Sequence, residues 1–351
     1  MKTIDLRSDT TTRPTPAMRE AMANAAVGDD GFQEDPTVIE LEERSAALLG
    51  KEAALYMSSG TQSNLVAALT FTGPDERLVG VQGNHIAYTL HADPRIAPLT
   101  NPLFLPNAGR GLADPDELAA TIDAPGDRFT MLTLENSFNT VGGTALRLDE
   151  YAPHVKIARD RGLSIHVDGA RIFNAAAALG VTAASLASTA DSVTFCLSKG
   201  LAAPVGSVLC GSRDFIDKAR VHRQYLGGTM RQAGIIAAAG IVALETMVDR
   251  LPDDHANAKA LAEGFARIPG ITLPYSVETN LVFIDVSGTG MTAEEVVAKL
   301  DPSGVRLGAF YGDKLIRAVT HYEITREDCD RAVAELAKVV AEAGVPLEVG
   351  D

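Results

Sequence analysis

The chain has only three cysteines, Cys196, Cys210 and Cys329, an odd number set far apart in 351 residues. No CxxC pair occurs, so a structural zinc site has no support and no metal is expected. Basic residues are also scarce. Thirty-one Lys and Arg face 46 Asp and Glu, for a formal net charge of −15, and no basic stripe or tail appears. That balance argues against a nucleic-acid or anionic-membrane partner. The opening "MKTIDLRSDTTTRPT" has no apolar h-region, and no long uninterrupted apolar run follows. Neither a signal peptide nor a membrane span is expected, and the expected location is the cytoplasm. Internal repeats and low-complexity linkers are missing as well.

What is present is ordinary for a globular protein: 46% hydrophobic and 22% charged residues, with a length that suggests two domains. From about residue 37 helix and strand alternate. "TVIELEERSAALLG" has helical spacing and ends on Gly50, a good C-cap residue. "EAALYM" is a short apolar run, and "SSGTQSNLVAALTF" reads as a turn opening into a helix. "ERLVGV" and "NPLFLP" are short strands; "FTMLTLEN", "LSIHVDGAR" and "DSVTFCLSKG" are apolar runs that each end on polar residues. The alanine-rich "IFNAAAALGVTAASLAS" between the last two makes a strand–helix–strand unit, which predicts a parallel sheet flanked by helices. Ligands of such sheets sit beyond the carboxyl ends of the strands. Near residue 250 the texture changes, which predicts a large domain over 1–250 and a smaller α/β domain over 251–351.

Three strands deliver polar groups to one edge: Glu135 and Asn136, Asp168 and Arg171, Ser198 and Lys199. Taken singly, each has a plain explanation. Lys199 fits the first solvated residue after a strand, and Asp168 fits a cap on the helix that follows. Together they fit a carboxylate that keeps a heterocycle protonated and an amine that forms a Schiff base. "YMSSGTQSNLVAAL" sets Ser58, Ser59, Gly60, Thr61 and Ser63 where a helix begins, which suits either ordinary capping or a phosphate. It is neither a P-loop nor a GxGxxG fingerprint. Phosphate, ring cation and Schiff-base lysine are the needs of pyridoxal 5'-phosphate (PLP).

The stretches "LRSDTTTRPTPAMREAM", "VGDDGFQEDPTV", "GKEAALYMSSGTQSN", "HVDGARIFNAA", "DSVTFCLSKGLAAPVGS" and "LGGTMRQAG" resemble the low-specificity L-threonine aldolases. These are PLP enzymes of fold type I, the aspartate aminotransferase-like superfamily. The resemblance runs through residues 4–240 and resumes at "LIRAVTHYEI". It implies an α/β fold whose large domain has a mostly parallel mixed sheet, with a smaller C-terminal α/β domain. It implies that Lys199 forms the Schiff base, that Asp168 pairs with the pyridinium nitrogen, and that His85 in "GNHIAY" stacks on the ring. Ser59, Gly60 and Thr61 would hold the phosphate, and Arg231 would reach phosphate across a subunit interface, which implies a homodimer or homotetramer. Ser8, Arg171 and Arg317 would bind the substrate carboxylate, for which the planar guanidinium fork is suited. The implied reaction is retro-aldol cleavage of a β-hydroxy-α-amino acid such as threonine, allo-threonine or phenylserine to glycine and an aldehyde. His85, or a water it orients, is the candidate base.

Several positions depart from the family pattern. "GDDGFQEDP" has Phe32 where the family has tyrosine and Gln33 where it has glycine. "HIAYTLHADP" places Leu90, Ala92 and Asp93 where glutamate and a Gly-Gly pair are usual, and "ENSFN" has Phe138 in place of a histidine. Phe32 and Phe138 are therefore expected on the substrate side, with weaker selectivity at Cβ or a bulkier, less polar β-substituent. The Lys–Asp pair is shared by β-eliminating lyases, aminotransferases and racemases of the same fold, and by PLP-fold proteins that bind without turnover. A Schiff-base aldolase without PLP would require a barrel.

Overall fold

A computed structural model describes residues 2–91 and 97–343; Ala92, Asp93 and the side chain of Leu90 lie outside the described residues. Its strands are β1 (Ile4–Asp5), β2 (Ala53–Met57), β3 (Arg77–Val81), β4 (Leu103–Leu105), β5 (Phe129–Glu135), β6 (Ser164–Asp168), β7 (Ser192–Cys196), β8 (Ser207–Gly211), β9 (Leu281–Asp285), β10 (Val305–Arg306) and β11 (Leu315–Val319). Seven of them form a mixed sheet in the order β2-β8-β7-β6-β5-β3-β4. β8 runs antiparallel to both neighbours, and the other pairings are parallel.

The strand sequences explain this arrangement. β7 and β8 are buried at every residue, as expected for strands covered on both faces, which read as continuous apolar runs. The helix Pro36–Leu49 starts where Asp35 accepts the N–H groups of Thr37 and Val38 and ends at Gly50 in the left-handed region, φ 64°. Helices Ile172–Leu179 and Ala183–Ala187 carry the chain from β6 to its parallel neighbour β7.

Register then fixes the functional edge. Glu135 is the partner of Asp168, and Asp168 is the partner of Thr194. The chain therefore leaves β5, β6 and β7 at one level, and Lys199 follows three residues after β7.

A second core surrounds the antiparallel pair β9–β11, with Ala258, Leu261, Phe265, Val296 and Leu336 in it. Ile4 and Leu6 also belong to this core, and β1 pairs parallel with β10. The N-terminal segment, grouped by sequence with residues 1–250, thus packs with the C-terminal elements. Cys196, Cys210 and Cys329 are free and buried. Among the described residues no helix is long and apolar enough to cross a membrane.

Candidate active site

Asp168, 2% exposed, ends β6. Its Oδ1 accepts the Ala170 N–H at 3.0 Å and its Oδ2 accepts from Asn64 Nδ2 at 2.6 Å. It closes a tight turn, while the N-cap of the following helix is Arg171. Burial alone would raise the Asp168 carboxyl. His85, Lys199, the Asn64 amide and the Ala170 N–H outweigh that and hold it below its ordinary range. Asp168 is therefore an ionised carboxylate in a dry setting.

Lys199, half-buried, lies near enough to Asp9, Asp168 and Glu135 to act on their charges. Its carbonyl accepts from Thr12 Oγ1 at 3.1 Å and from the Ala202 N–H at 2.9 Å. Nζ makes no hydrogen bond or ion pair among the described residues. An amine left unpaired beside carboxylates suits covalent capture of an aldehyde.

His85 opens the helix His85–His91. Its Nδ1 is 3.3 Å from Asn64 Nδ2 and 3.7 Å from Asp168 Oδ2, and its side chain is 37% exposed. Burial lowers its pKa, against the pull of Asp168, so the ring is uncharged at neutral pH. Behind it lies Glu135, 4% exposed, which accepts the His85 N–H at 2.6 Å and the Asn139 N–H at 2.8 Å. Burial and the charge of Asp168 push the Glu135 carboxyl up to about 8.

The helix Gly60–Phe71 starts against the end of β7. Ser59 caps it by accepting the Gln62 N–H at 3.2 Å, so the Gly60 and Thr61 N–H groups stay open at the positive end of the dipole. A Cβ on Gly60 would stand 2.8 Å from Cys196 Sγ. Glycine is thus what lets the helix start against the end of β7, beside Lys199.

Two arginines complete the cluster. Arg171, 6% exposed, grips Asp9 through Nε at 2.6 Å and Nη2 at 2.7 Å. Asp9 is fully buried, also accepts from Asn280 Nδ2 at 3.3 Å, and is held well below its ordinary range against its own burial by Arg171. Arg317, on β11, donates from Nη1 to Asn139 Oδ1 at 3.0 Å and to Tyr311 Oη at 2.8 Å, and from Nη2 to the Arg7 carbonyl at 3.1 Å. Its Nε is buried with no partner among the described residues. "RSDT" thus links both arginines through Arg7 and Asp9, while Ser8 Oγ accepts the Thr10 N–H and caps a short turn.

Three expected residues are placed differently. Phe138, expected on the substrate side, is 1% exposed, with its ring packed beneath Gly111, whose Cβ would meet it at 2.2 Å. Its apolar ring is satisfied by the core, so it offers the cleft no open surface. Phe32 is 73% exposed on the turn Asp30–Phe32, and Arg231 is 67% exposed with a long 3.3 Å contact to Asp29. Neither is joined by a hydrogen bond or ring contact to the cluster within one chain. Gln33, where the family pattern has glycine, holds a left-handed conformation at φ 59°, strained for a residue with a Cβ by about 1 kcal/mol.

Asp9, Asn64, Asn139 and Tyr311 join the cluster without a signal of their own in the sequence, and Glu135, placed at the strand edge by sequence, joins it with no role expected. Asp9 sits inside a quoted motif and Asn64 inside "SSGTQSN", so position in a motif was the available signal.

The donor set fits PLP: an ionised buried carboxylate, an unpaired amine, an open helix N-terminus and a buried guanidinium with a free N–H. The beta-eliminating lyase family model matches residues 5–289. The chain is 42% identical over 338 residues to low-specificity L-threonine aldolase 1 of Arabidopsis thaliana, covering 93% of this chain and 94% of that protein. It is 38% identical over 345 residues to the low specificity L-threonine aldolase of Escherichia coli K12, covering 96% and 97%. A threonine aldolase structure from Leishmania major superposes with a TM-score of 0.80 at 18% identity, covering 96% and 99%; at that identity the match speaks for the fold.

Proposed function

Because the chain belongs to the low-specificity L-threonine aldolases within the beta-eliminating lyase family, we propose a division of labour among its residues. The enzyme is a PLP-dependent carbon–carbon lyase acting by retro-aldol cleavage, taking threonine to glycine and an aldehyde. PLP, when bound, supplies the electron sink for the bond broken at Cα. Lys199 Nζ would hold the cofactor's aldehyde carbon, Asp168 would pair with its ring nitrogen, and the N–H groups of Gly60 and Thr61 with Ser59 would hold its phosphate.

Arg317 binds the substrate carboxylate through its free Nε, with Arg171 beside it, which fixes how the amino acid lies in the cleft. The observation that carries this role is the buried Nε of Arg317 without a partner, a donor that folding leaves unsatisfied and a carboxylate would satisfy. With Nδ1 of His85 turned to the Asn64 amide, Nε2 keeps its hydrogen. We therefore assign the β-hydroxyl proton to a water that His85 orients and that passes it to bulk solvent, which the partly exposed ring meets. Exposed Phe310, whose ring centroid is 5.9 Å from Arg317 Cζ, gives a β-substituent an aromatic neighbour and supports acceptance of bulky substrates.

Arg231 and Phe32 are assigned to the neighbouring subunit's site in a homodimer or a tetramer of dimers. Their exposure beside Asp29 supports this. The N-terminal strand and residues 251–343 are read as the unit that brings Arg317 to the cleft.

The test uses two inactive variants, Lys199→Ala and Arg231→Glu, mixed under conditions that exchange subunits, with glycine release from threonine as the readout. A shared site predicts recovery to about a quarter of wild-type activity, since half the dimers carry one intact site. A mixture as inactive as its components excludes the cross-subunit role. Wild-type protein that releases no glycine from threonine, allo-threonine or phenylserine excludes the whole assignment.

A further inference from the structure

A buried line of hydrogen bonds runs inward from Asp168 through Asn64 to His166 and Ser192, and the last two were assigned no role above. Asn64 donates from Nδ2 to Asp168 Oδ2 at 2.6 Å. Its Oδ1 faces His166 Nε2 at 3.0 Å, and His166 Nδ1 faces Ser192 Oγ at 2.8 Å. Asn64, His166 and Ser192 are 1%, 0% and 0% exposed, so no bulk water competes for these groups.

Only one proton arrangement suits the line. His166 is uncharged, since burial presses its pKa down to about 4, so it has one donor and one acceptor nitrogen. Asn64 Oδ1 is an acceptor, so Nε2 carries the hydrogen, and Nδ1 then accepts from the Ser192 hydroxyl. Turning the Asn64 amide over would set its oxygen against the Asp168 carboxylate and its NH2 against the His166 N–H. The imidazole therefore fixes which end of the amide meets Asp168. The fold supplies the spacing: His166 and Asp168 share one face of β6 two residues apart, and His166 is the register partner of Ser192. Asn64 lies one turn beyond Gly60 on the helix whose start faces the phosphate, so that helix positions both ends of the cofactor.

We propose that Ser192, His166 and Asn64 are positioning residues that aim one oxygen of Asp168 at the cofactor's ring nitrogen and keep that carboxylate ionised there. This rests on the role given to Asp168 above. Removing Asn64 leaves Asp168 one hydrogen bond short in a dry site, and removing the His166 donor leaves the Asn64 amide free to turn away from it; either change weakens the hold of Asp168 on a protonated ring nitrogen.

The test compares affinities for two probes: PLP itself, and the analogue with carbon in place of the ring nitrogen. Both are measured by titration of apoenzyme with Asp168→Asn, Asn64→Leu, His166→Leu, His166→Gln and Ser192→Ala. For Asn64→Leu and His166→Leu the preference for PLP over the carbon analogue is expected to fall about tenfold. Gln in place of His166 offers a donor amide and an acceptor oxygen, and is expected to restore most of the preference; Ser192→Ala is expected to lower it only slightly. A loss equal for both probes, or no loss, in Asn64→Leu and His166→Leu while Asp168→Asn does lower the preference overturns the positioning role and leaves Asp168 in place. No change of preference in Asp168→Asn overturns the role of Asp168 itself. If a leucine variant fails to fold, His166→Gln and Ser192→Ala decide: a loss of preference that is greater without the hydroxyl than with the glutamine supports the line, and the reverse order overturns it.

Discussion

The two ends of the active site are finished to different degrees. At the Asp168 end, the carboxylate accepts from Asn64 and Ala170, and the donors behind it continue to Ser192. At the other end, Arg317 Nε is buried without a partner among the described residues, two backbone N–H groups open helix Gly60–Phe71, and Arg231 and Phe32 point outward. The difference separates what the chain completes for itself from what it leaves for a ligand or a neighbouring subunit. A protein tolerates an unsatisfied buried donor where a ligand will satisfy it.

The largest effect is expected at Asp9, whose pair with Arg171 is a completed contact within the open end. Asp9→Ala leaves the buried Arg171 guanidinium without its two-pronged partner, and a stability loss of about 3–5 kcal/mol is expected. Urea unfolding of the variant measures it; a loss below about 1 kcal/mol would show that the pair is not structural. Arg317→Gln acts on the open end as well. Loss of its bonds to Asn139, Tyr311 and the Arg7 carbonyl should cost about 1–3 kcal/mol of stability, less than Asp9→Ala. KM for threonine should rise about tenfold to a hundredfold through the loss of charge-assisted bonds to a carboxylate. A fall in kcat with KM unchanged would move Arg317 out of substrate binding.

A smaller effect sharpens the contrast between neighbouring strand ends. Glu135 and Asp168 are register partners, yet burial and the charge of Asp168 push Glu135 up to about 8 while Asp168 is held low. Between the ordinary carboxylate range and about pH 8 the folded protein holds a proton that the unfolded chain has released. The Glu135 contribution to the stability of the cofactor-free protein therefore falls as pH rises through that window and levels off above it. Glu135→Gln should flatten this part of the urea midpoint against pH. An unchanged slope would mean that Glu135 is ionised in the fold.

Much of the finished edge was legible in sequence. Strands ending in "HVDGAR" and "CLSKG" announce Asp168, Arg171 and Lys199, because a buried run that stops on a charge has few explanations. The partners were not, because they come from elsewhere in the chain: Asp9 meets Arg171 and Asn280 meets Asp9 because the second core packs β1 with β9 and β11. His166 reads as one more residue in an apolar strand, and its role depends on the helix and strand that pack on either side. Phe138 misled for the same reason, since its place in the motif could not reveal the space beneath Gly111 that its ring fills. Arg231 and Phe32 were expected at the site, and within one chain they stand at the surface.

The central claim is that Lys199 holds PLP beside Asp168 in a site that stabilises a carbanion at the α-carbon of glycine. Its most direct test is the visible absorbance spectrum of the holoenzyme before and after glycine is added, with Lys199→Ala alongside. The expected result is a Schiff-base band in the wild type that gives way to a new long-wavelength band with glycine, and no protein-linked band in Lys199→Ala. A wild-type protein that shows no band after PLP is supplied, or whose band glycine leaves untouched, would contradict it.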